Sequence, residues 1–133
     1  MAVADRLKRN RDFSRVYHRG VYHRNSFLGL HAFRHRGGYA RQAPRIGFTV
    51  SRAIRGAVPR NRAKRLLRES FRLSRVKLHP GYDLIVTARW NPEDEPALLI
   101  LAGAMGRLII DSGAGQERPE TEENNGSSAG ESE

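Results

Sequence analysis

At 133 residues the chain has room for one domain with a modest core, and its 24 Lys+Arg against 14 Asp+Glu give a net charge of +10. The absence of Cys excludes a disulfide framework, a thiolate metal site and a cysteine nucleophile. The longest apolar run, residues 96–105, is about half the roughly 20 residues that a membrane-spanning helix needs, and the opening MAVADRLKRNRDF lacks the apolar stretch of a signal peptide. A soluble, cytoplasmic protein is expected. The charge is unevenly placed: residues 1–110 hold 23 Lys+Arg against 7 Asp+Glu, whereas residues 111–133 hold 1 against 7. The folded part is thus more basic than the whole, which favours a polyanionic partner held with a strong salt dependence.

In chain order, residues 1–9 are a basic lead-in without periodicity. Asn10 can cap a short helix that runs to about Arg19 and stops at Gly20. Phe13, Val16 and Tyr17 share one face of it. Val16 reads as core; Phe13 and Tyr17 suit either core packing or a stacking surface for unpaired bases. Residues 21–34 alternate imperfectly and read as one strand bent at Gly29. A basic hairpin loop with Gly37 and Gly38 follows. Residues 45–51 place Ile46, Phe48 and Val50 on one face and Gly47, Thr49 and Ser51 on the other, the clearest strand signal in the chain.

Ala57–Ser74, AVPRNRAKRLLRESFRLS, carries six Arg or Lys and keeps an apolar stripe through Ala63, Leu66, Leu67, Ser70 and Phe71, the spacing of a helix with one packing face. Pro59 is tolerable in its first turn, with Gly56 just before it. At about 100° per residue, Asn61, Arg65, Arg68 and Arg72 fall in one sector opposite that stripe, with Arg62 and Lys64 beside them and Arg60 towards the apolar edge. Most such runs are solvated helix faces, but here Glu69 is the one acid between Arg60 and Lys77. Like charges three and four residues apart repel by about 0.2–0.5 kcal/mol a pair, so the uncompensated cluster points to nucleic acid.

His79-Pro80-Gly81 then marks a turn. Residues 82–88 form a strand apolar on both faces, hence interior to a sheet. Asn91-Pro92-Glu93-Asp94-Glu95 carries the start signals of a helix that continues through residues 96–110, with Leu98, Leu101, Ala102, Met105, Leu108 and Ile109 on one face. Residues 111–133, with two Ala as their apolar members, read as a disordered acidic tail, which leaves residues 1–110 as the domain. The order is helix, strand, strand, basic helix, strand, helix, and the basic helix should join a parallel pair of strands.

Protein-based catalysis finds little support. A metal nuclease needs clustered carboxylates, whereas Asp5, Asp12, Glu69 and Asp83 are scattered and the acids at 93–95 suit a helix start. His31 and His35 fall on a strand and its loop, a poor zinc pair. Ser51 and Ser70 have no His with a supportable triad geometry. Trp90 suits either the core edge or an RNA stack.

The segment Arg45-Ile46-Gly47-Phe48-Thr49-Val50-Ser51-Arg52, followed by Gly56-Ala57-Val58 and by Arg60 through Phe71, resembles the signature of the bacterial ribonuclease P protein family. Asn10-Arg11-Asp12-Phe13 with Val16 and Tyr17, and Tyr82-Asp83-Leu84-Ile85-Val86 with Ala88-Arg89, match beside it. The resemblance covers about residues 6–110. It implies a two-layer α/β sandwich of order α-β-β-α-β-α, with a left-handed β-α-β crossover around the Arg-Asn-Arg helix, as in some ribosomal proteins. It implies a protein cofactor of a ribozyme whose RNA subunit holds Mg²⁺ and removes the 5′ leader of precursor tRNA, so that no catalytic residue lies in this chain. It places Arg60, Asn61, Arg62, Lys64, Arg65 and Arg68 against the RNA subunit. Phe13, Tyr17, Phe27, Leu30 and Arg52 fall to the leader, with Leu30 where some relatives carry an aromatic residue. Many relatives end in a basic tail; this chain ends acidic. A structural RNA-binding protein such as a ribosomal component is the alternative.

Overall fold

The computed structural model describes residues 4–118. Among these described residues are seven strands, β1 (Asp5–Arg6), β2 (Val21–Arg24), β3 (Leu28–Arg34), β4 (Arg45–Val50), β5 (Val76–Leu78), β6 (Tyr82–Ala88) and β7 (Gly115–Glu117), and three α-helices, α1 (Asn10–Arg19), α2 (Ala57–Ser74) and α3 (Leu98–Ser112). The main sheet has the order β1-β4-β6-β3-β2, and β5 pairs with β7 in a small second sheet. β4 and β6 are parallel neighbours, joined through α2 as the sequence order requires, while β3 runs antiparallel to both β6 and β2.

Strand alternation decides which helix each face meets. Leu28, Leu30 and Ala32 of β3, Ile46 and Val50 of β4, and Leu84, Val86 and Ala88 of β6 form one buried cluster with Ala63 and Leu67 of α2 and Leu101, Met105 and Ile109 of α3. This sheet-on-helix sandwich is the main core, and cutting a side chain such as Leu67, fully buried in it, to Ala costs about 2–5 kcal/mol. Trp90 is buried there too, which resolves its two expectations in favour of the core. On the opposite face Leu7, Val16 and Ile85, with Phe13 and Phe33 against them, seat α1. α1 covers part of that face and leaves the rest open.

α2 has the expected bounds, and its buried positions, Ala63, Leu67 and Ser70, lie on the expected stripe. Gly56 precedes it with φ +94°, a conformation that side chains rarely adopt, and so lets the chain turn into the helix. Elsewhere the structure corrects the sequence. Residues 21–34 are not one bent strand but the hairpin β2–β3: Asn25 Oδ1 accepts the N–H groups of Phe27 and Leu28 at 3.0 and 2.9 Å and closes the turn. The loop after β3 is not a hairpin either, because β6 lies between β3 and β4. Asn10 is the first residue of α1 rather than its cap, which is Arg9, while Gly20 caps the C-terminal end as expected, in an extended conformation. The expected helix of residues 91–110 divides into a short 3₁₀ turn, Pro92–Asp94, and α3, because Glu95 precedes Pro96 and takes an extended ψ of 124°. Helix α3 continues to Ser112 and β7 follows, so the acidic tail does not begin at residue 111; residues 119–133 lie outside the described residues. No helix among the described residues is long and apolar enough to cross a membrane.

Candidate nucleic-acid interface

The outward side of α2 exposes Asn61, Arg62, Arg65, Arg68 and Arg72, with Lys64 half-buried. Its first turn holds no acid, so the unpaired N–H groups and dipole of the helix N-terminus add to the attraction for anions. The cations differ in availability. Arg65 and Arg68 have no carboxylate partner among the described residues. Arg62 forms a two-pronged pair with Glu95, at 2.9 and 2.8 Å, and Arg72 pairs with Glu69. These contacts raise the pKa of both guanidinium groups and lower those of Glu69 and Glu95, chiefly through hydrogen bonds. The acid at 95 is thus not helix-start charge but a clamp on Arg62, which a phosphate must displace.

Arg60 is used differently from its expected role. Its guanidinium donates to the carbonyls of Val50, Ser51 and Ile54 at 2.8 to 3.0 Å. It ties the start of α2 to the end of β4, holds the following loop, and faces backbone rather than solvent. The signal was its position at the apolar edge of the helix.

On the open part of the other sheet face, a cleft is lined by Tyr17 of α1, Tyr22 of β2, His31 of β3, Thr49 of β4, Thr87 of β6, and Arg52 and Arg89 beyond the ends of β4 and β6. Tyr17 meets the His31 ring edge-on at 4.9 Å and Tyr22 lies tilted at 4.6 Å. Both tyrosines are exposed by more than two-fifths. The Thr49 and Thr87 hydroxyls share a hydrogen bond of 2.8 Å on the floor. Phe13 lies further along the same flank of α1, pressed on Gly47, where an added Cβ would come within 2.7 Å of the ring. With Phe48, Lys64, Arg68 and Phe71 it lines a second groove that shares Thr49 with the cleft. One path therefore runs from the aromatic cleft along β4 to the cations of α2.

Tyr17 and Arg52 are brought together as expected, and Phe13 lies on the continuation. Phe27 and Leu30 are not. Leu30 is fully buried and faces α2 and α3, while Phe27 sits in the β2–β3 turn against that same core. The expectation for both came from the family resemblance; on β3 the residues turned to α1 and the cleft are Gly29, His31 and Phe33. His31, Tyr22, Arg89, Thr49 and Thr87 are the cleft residues that the sequence analysis passed over.

His31 Nδ1 is buried without a hydrogen-bond partner among the described residues, and burial lowers the pKa of the ring below its ordinary 6.5. The unfolded chain therefore binds this proton more readily than the folded one. The stability due to a neutral His31 is full above the unfolded value near pH 6.5 and is lost as pH falls through the lower folded value. A thermal melt of His31→Gln should lose less between pH 7.5 and pH 5.5 than the parent; equal losses would mean that the ring titrates alike in both states.

The two buried carboxylates, Asp83 and Asp12, are already committed. Asp83, fully buried, accepts Arg45 Nε at 2.9 Å and Nη2 at 2.7 Å and His35 Nε2 at 2.8 Å. Asp12 accepts Arg45 at 3.2 Å and Arg15 at 3.1 Å. No three His, Asp or Glu converge on a metal position among the described residues, and these two carboxylates, saturated by cations, are unsuited to hold Mg²⁺.

The family model for ribonuclease P matches residues 1–102. The chain belongs to the ribonuclease P protein family. The ribonuclease P protein component of Pelotomaculum thermopropionicum is 43% identical over 94 residues, 71% of this chain and 80% of that protein. That of Alkaliphilus metalliredigens is 37% identical over 111 residues, 79% and 96% of the two chains. The solved RNase P protein of Staphylococcus aureus superposes with a TM-score of 0.68 at 26% identity, over 86% of this chain and all of its own. The RNase P protein of Thermotoga maritima, at 24% identity and a TM-score of 0.63, shares the fold. Membership makes this chain a protein component of ribonuclease P, an RNA-binding partner of the RNase P RNA in tRNA processing, and does not favour the ribosomal alternative.

Proposed function

We propose that α2 docks on the catalytic RNA subunit while the cleft around Tyr17, His31 and Arg52 receives the single-stranded 5′ leader of precursor tRNA, and that the chain thereby promotes endonucleolytic removal of the leader in the bacterial cytoplasm. The observation that carries this reading is the continuous path along β4 between the two surfaces. A strand leaving the cleft meets cations on α2 through a groove in which one carboxylate, Asp5, stands among Arg6, Lys8, Lys64 and Arg68. Arg65 and Arg68 neutralise phosphates of the RNA subunit, Lys64 sits where the two surfaces meet, and Asn61 and Arg62 extend the dock. Arg60 acts one step back, by fixing the start of α2.

In the cleft, Tyr17 and Tyr22 present aromatic faces and edges to unstacked bases, and Arg52 and Arg89 hold the backbone between them. We assign hydrolysis and its Mg²⁺ ions to the RNA subunit. The protein's own contribution is charge screening: its cations reduce repulsion between two polyanions and lower the concentration of Mg²⁺ that assembly needs.

Leader-dependent binding tests the assignment. Tyr17→Ala should lower the affinity of the reconstituted complex for precursor tRNA by about 1–3 kcal/mol, the worth of one lost base stack, and leave mature tRNA binding nearly unchanged. An equal loss for both would return Tyr17 to a packing role. His31→Ala tests the same surface from the sheet side and should show the same selectivity.

A further inference from the structure

α1 has a second flank that neither α2 nor the leader cleft uses. At about 100° per residue, Arg11, Arg15 and Arg19 follow one another at four-residue steps on the side opposite Phe13 and Tyr17. Beyond the C-terminal end of α1, a groove of about 1040 Å³ opens between that end, the outer strands β2 and β3 and the loop after β3. Arg19, His23, Phe33, Arg34, His35 and Arg36 line it, and no Asp or Glu does. Asp83 stands behind His35 with both oxygens taken by Arg45 and His35. Arg19, Arg34 and Arg36 are exposed and have no carboxylate partner among the described residues. Three guanidinium groups around one concavity without an acid repel each other until an anion enters.

The groove also has an aromatic wall. The Arg19 guanidinium lies 5.9 Å from the centre of the Phe33 ring, and His35 meets that ring edge-on at 4.9 Å. Arg19, Phe33 and His35 also line a second concavity that continues along α1 past Arg15 and Arg11, where the one acid, Asp12, is already paired with Arg15 and Arg45, with the exposed Tyr39 on its other side. The result is an extended basic track with rings set into it, on the side of α1 away from the leader cleft.

We propose that this track is a second binding site for unpaired RNA, in which Arg19, Arg34 and Arg36 hold successive phosphates and Phe33 offers a face for a base. A single strand fits it better than a duplex, because rings recessed between cations can be reached by unstacked bases and not by paired ones. It fits better than a phosphopeptide because the cations extend along α1 as a line and do not close on one phosphate. The site is independent of the leader assignment, since it shares no residue with the leader cleft or with α2.

The full-length protein, without the RNA subunit or tRNA, is titrated with a fluorescent oligouridine over a range of salt. Arg34→Ala/Arg36→Ala should weaken binding and lower the slope of log affinity against log salt by about 1.4, two phosphate contacts at about 0.7 each for a single strand. Arg107→Ala serves as the comparison, since this exposed cation of α3 lines none of these grooves and its loss should leave the slope nearly unchanged. Arg19→Gln, which keeps the length of the side chain, should give about half the slope change. Inorganic tripolyphosphate and a duplex of equal charge should compete weakly. An unchanged slope in the double variant overturns the proposal, as does tripolyphosphate, duplex or a phosphopeptide competing as well as the strand. Arg34 and Arg36 are exposed, so an unaltered thermal midpoint is expected; a lowered midpoint in both variants would make these arginines structural and would also overturn it. Failure here leaves the leader selectivity of Tyr17 intact, so the two readings stand or fall separately.

Discussion

Replacing Arg65 and Arg68 together by Ala is expected to weaken binding to the RNA subunit at every salt concentration and to lower the slope of log affinity against log salt by roughly one to two units. Both side chains are exposed on the outward face of α2 and neither has a carboxylate partner among the described residues. Their charge in the free protein is therefore balanced by mobile ions, and binding exchanges those ions for phosphates. Removing like charges three residues apart relieves a little repulsion, so the fold should not suffer and the loss belongs to the interface. Arg62→Ala should cost less, because Arg62 must first leave Glu95. Arg60→Ala should act through stability, by freeing the three carbonyls it holds. A filter-binding series over salt separates these cases: a double variant with the parent slope would mean that Arg65 and Arg68 face solvent in the complex.

The second large effect concerns stability. Asp83→Ala should destabilise the chain by about 1–3 kcal/mol, the cost of leaving the buried donors of Arg45 and His35 without their acceptor, since Arg45 keeps Asp12 as a partner. That loss is a sizeable share of the roughly 5–15 kcal/mol that holds a domain together. The carboxylate lies in the central strand β6, fully buried, and neutralises Arg45 on the neighbouring β4 while anchoring His35 after β3. Through Arg45 the network reaches Asp12 and Arg15 on α1, so its loss should also loosen the seat of the helix that carries Phe13 and Tyr17. Urea unfolding measures the difference directly. A change under about 1 kcal/mol would place the network with solvent-screened surface pairs.

What could be read from the sequence followed the strength of local periodicity. α2, β4 and β6 were legible because a run of alternating or helical apolar residues specifies each one. The strands β1, β5 and β7 were not, since two or three residues carry no period and pair only because the tertiary fold brings edges together. The hairpin at Asn25 was written in a turn residue but hidden by apolar residues on both sides. Phe27 and Leu30 were expected at the leader on the family resemblance alone, and the register of β3 turns Leu30 to the core and His31 to the cleft. Tyr17 and Arg52 line that cleft whatever the parity of β3. The roles of Arg60 and Glu95 were invisible for another reason: each is set by a partner distant in the chain or by backbone carbonyls, and a charge pattern cannot distinguish a guanidinium that faces phosphate from one that caps a strand.

The central proposal is that this chain supports an RNA catalyst by screening and positioning. Precursor tRNA cleavage by the cognate RNA subunit, measured at low Mg²⁺ with and without the full chain, tests it most directly. The protein should restore cleavage at Mg²⁺ concentrations where the RNA alone is nearly inactive, and Arg65→Ala/Arg68→Ala should shift the requirement back towards higher Mg²⁺. Cleavage unchanged by the protein, or cleavage by the protein with no RNA subunit present, would contradict it.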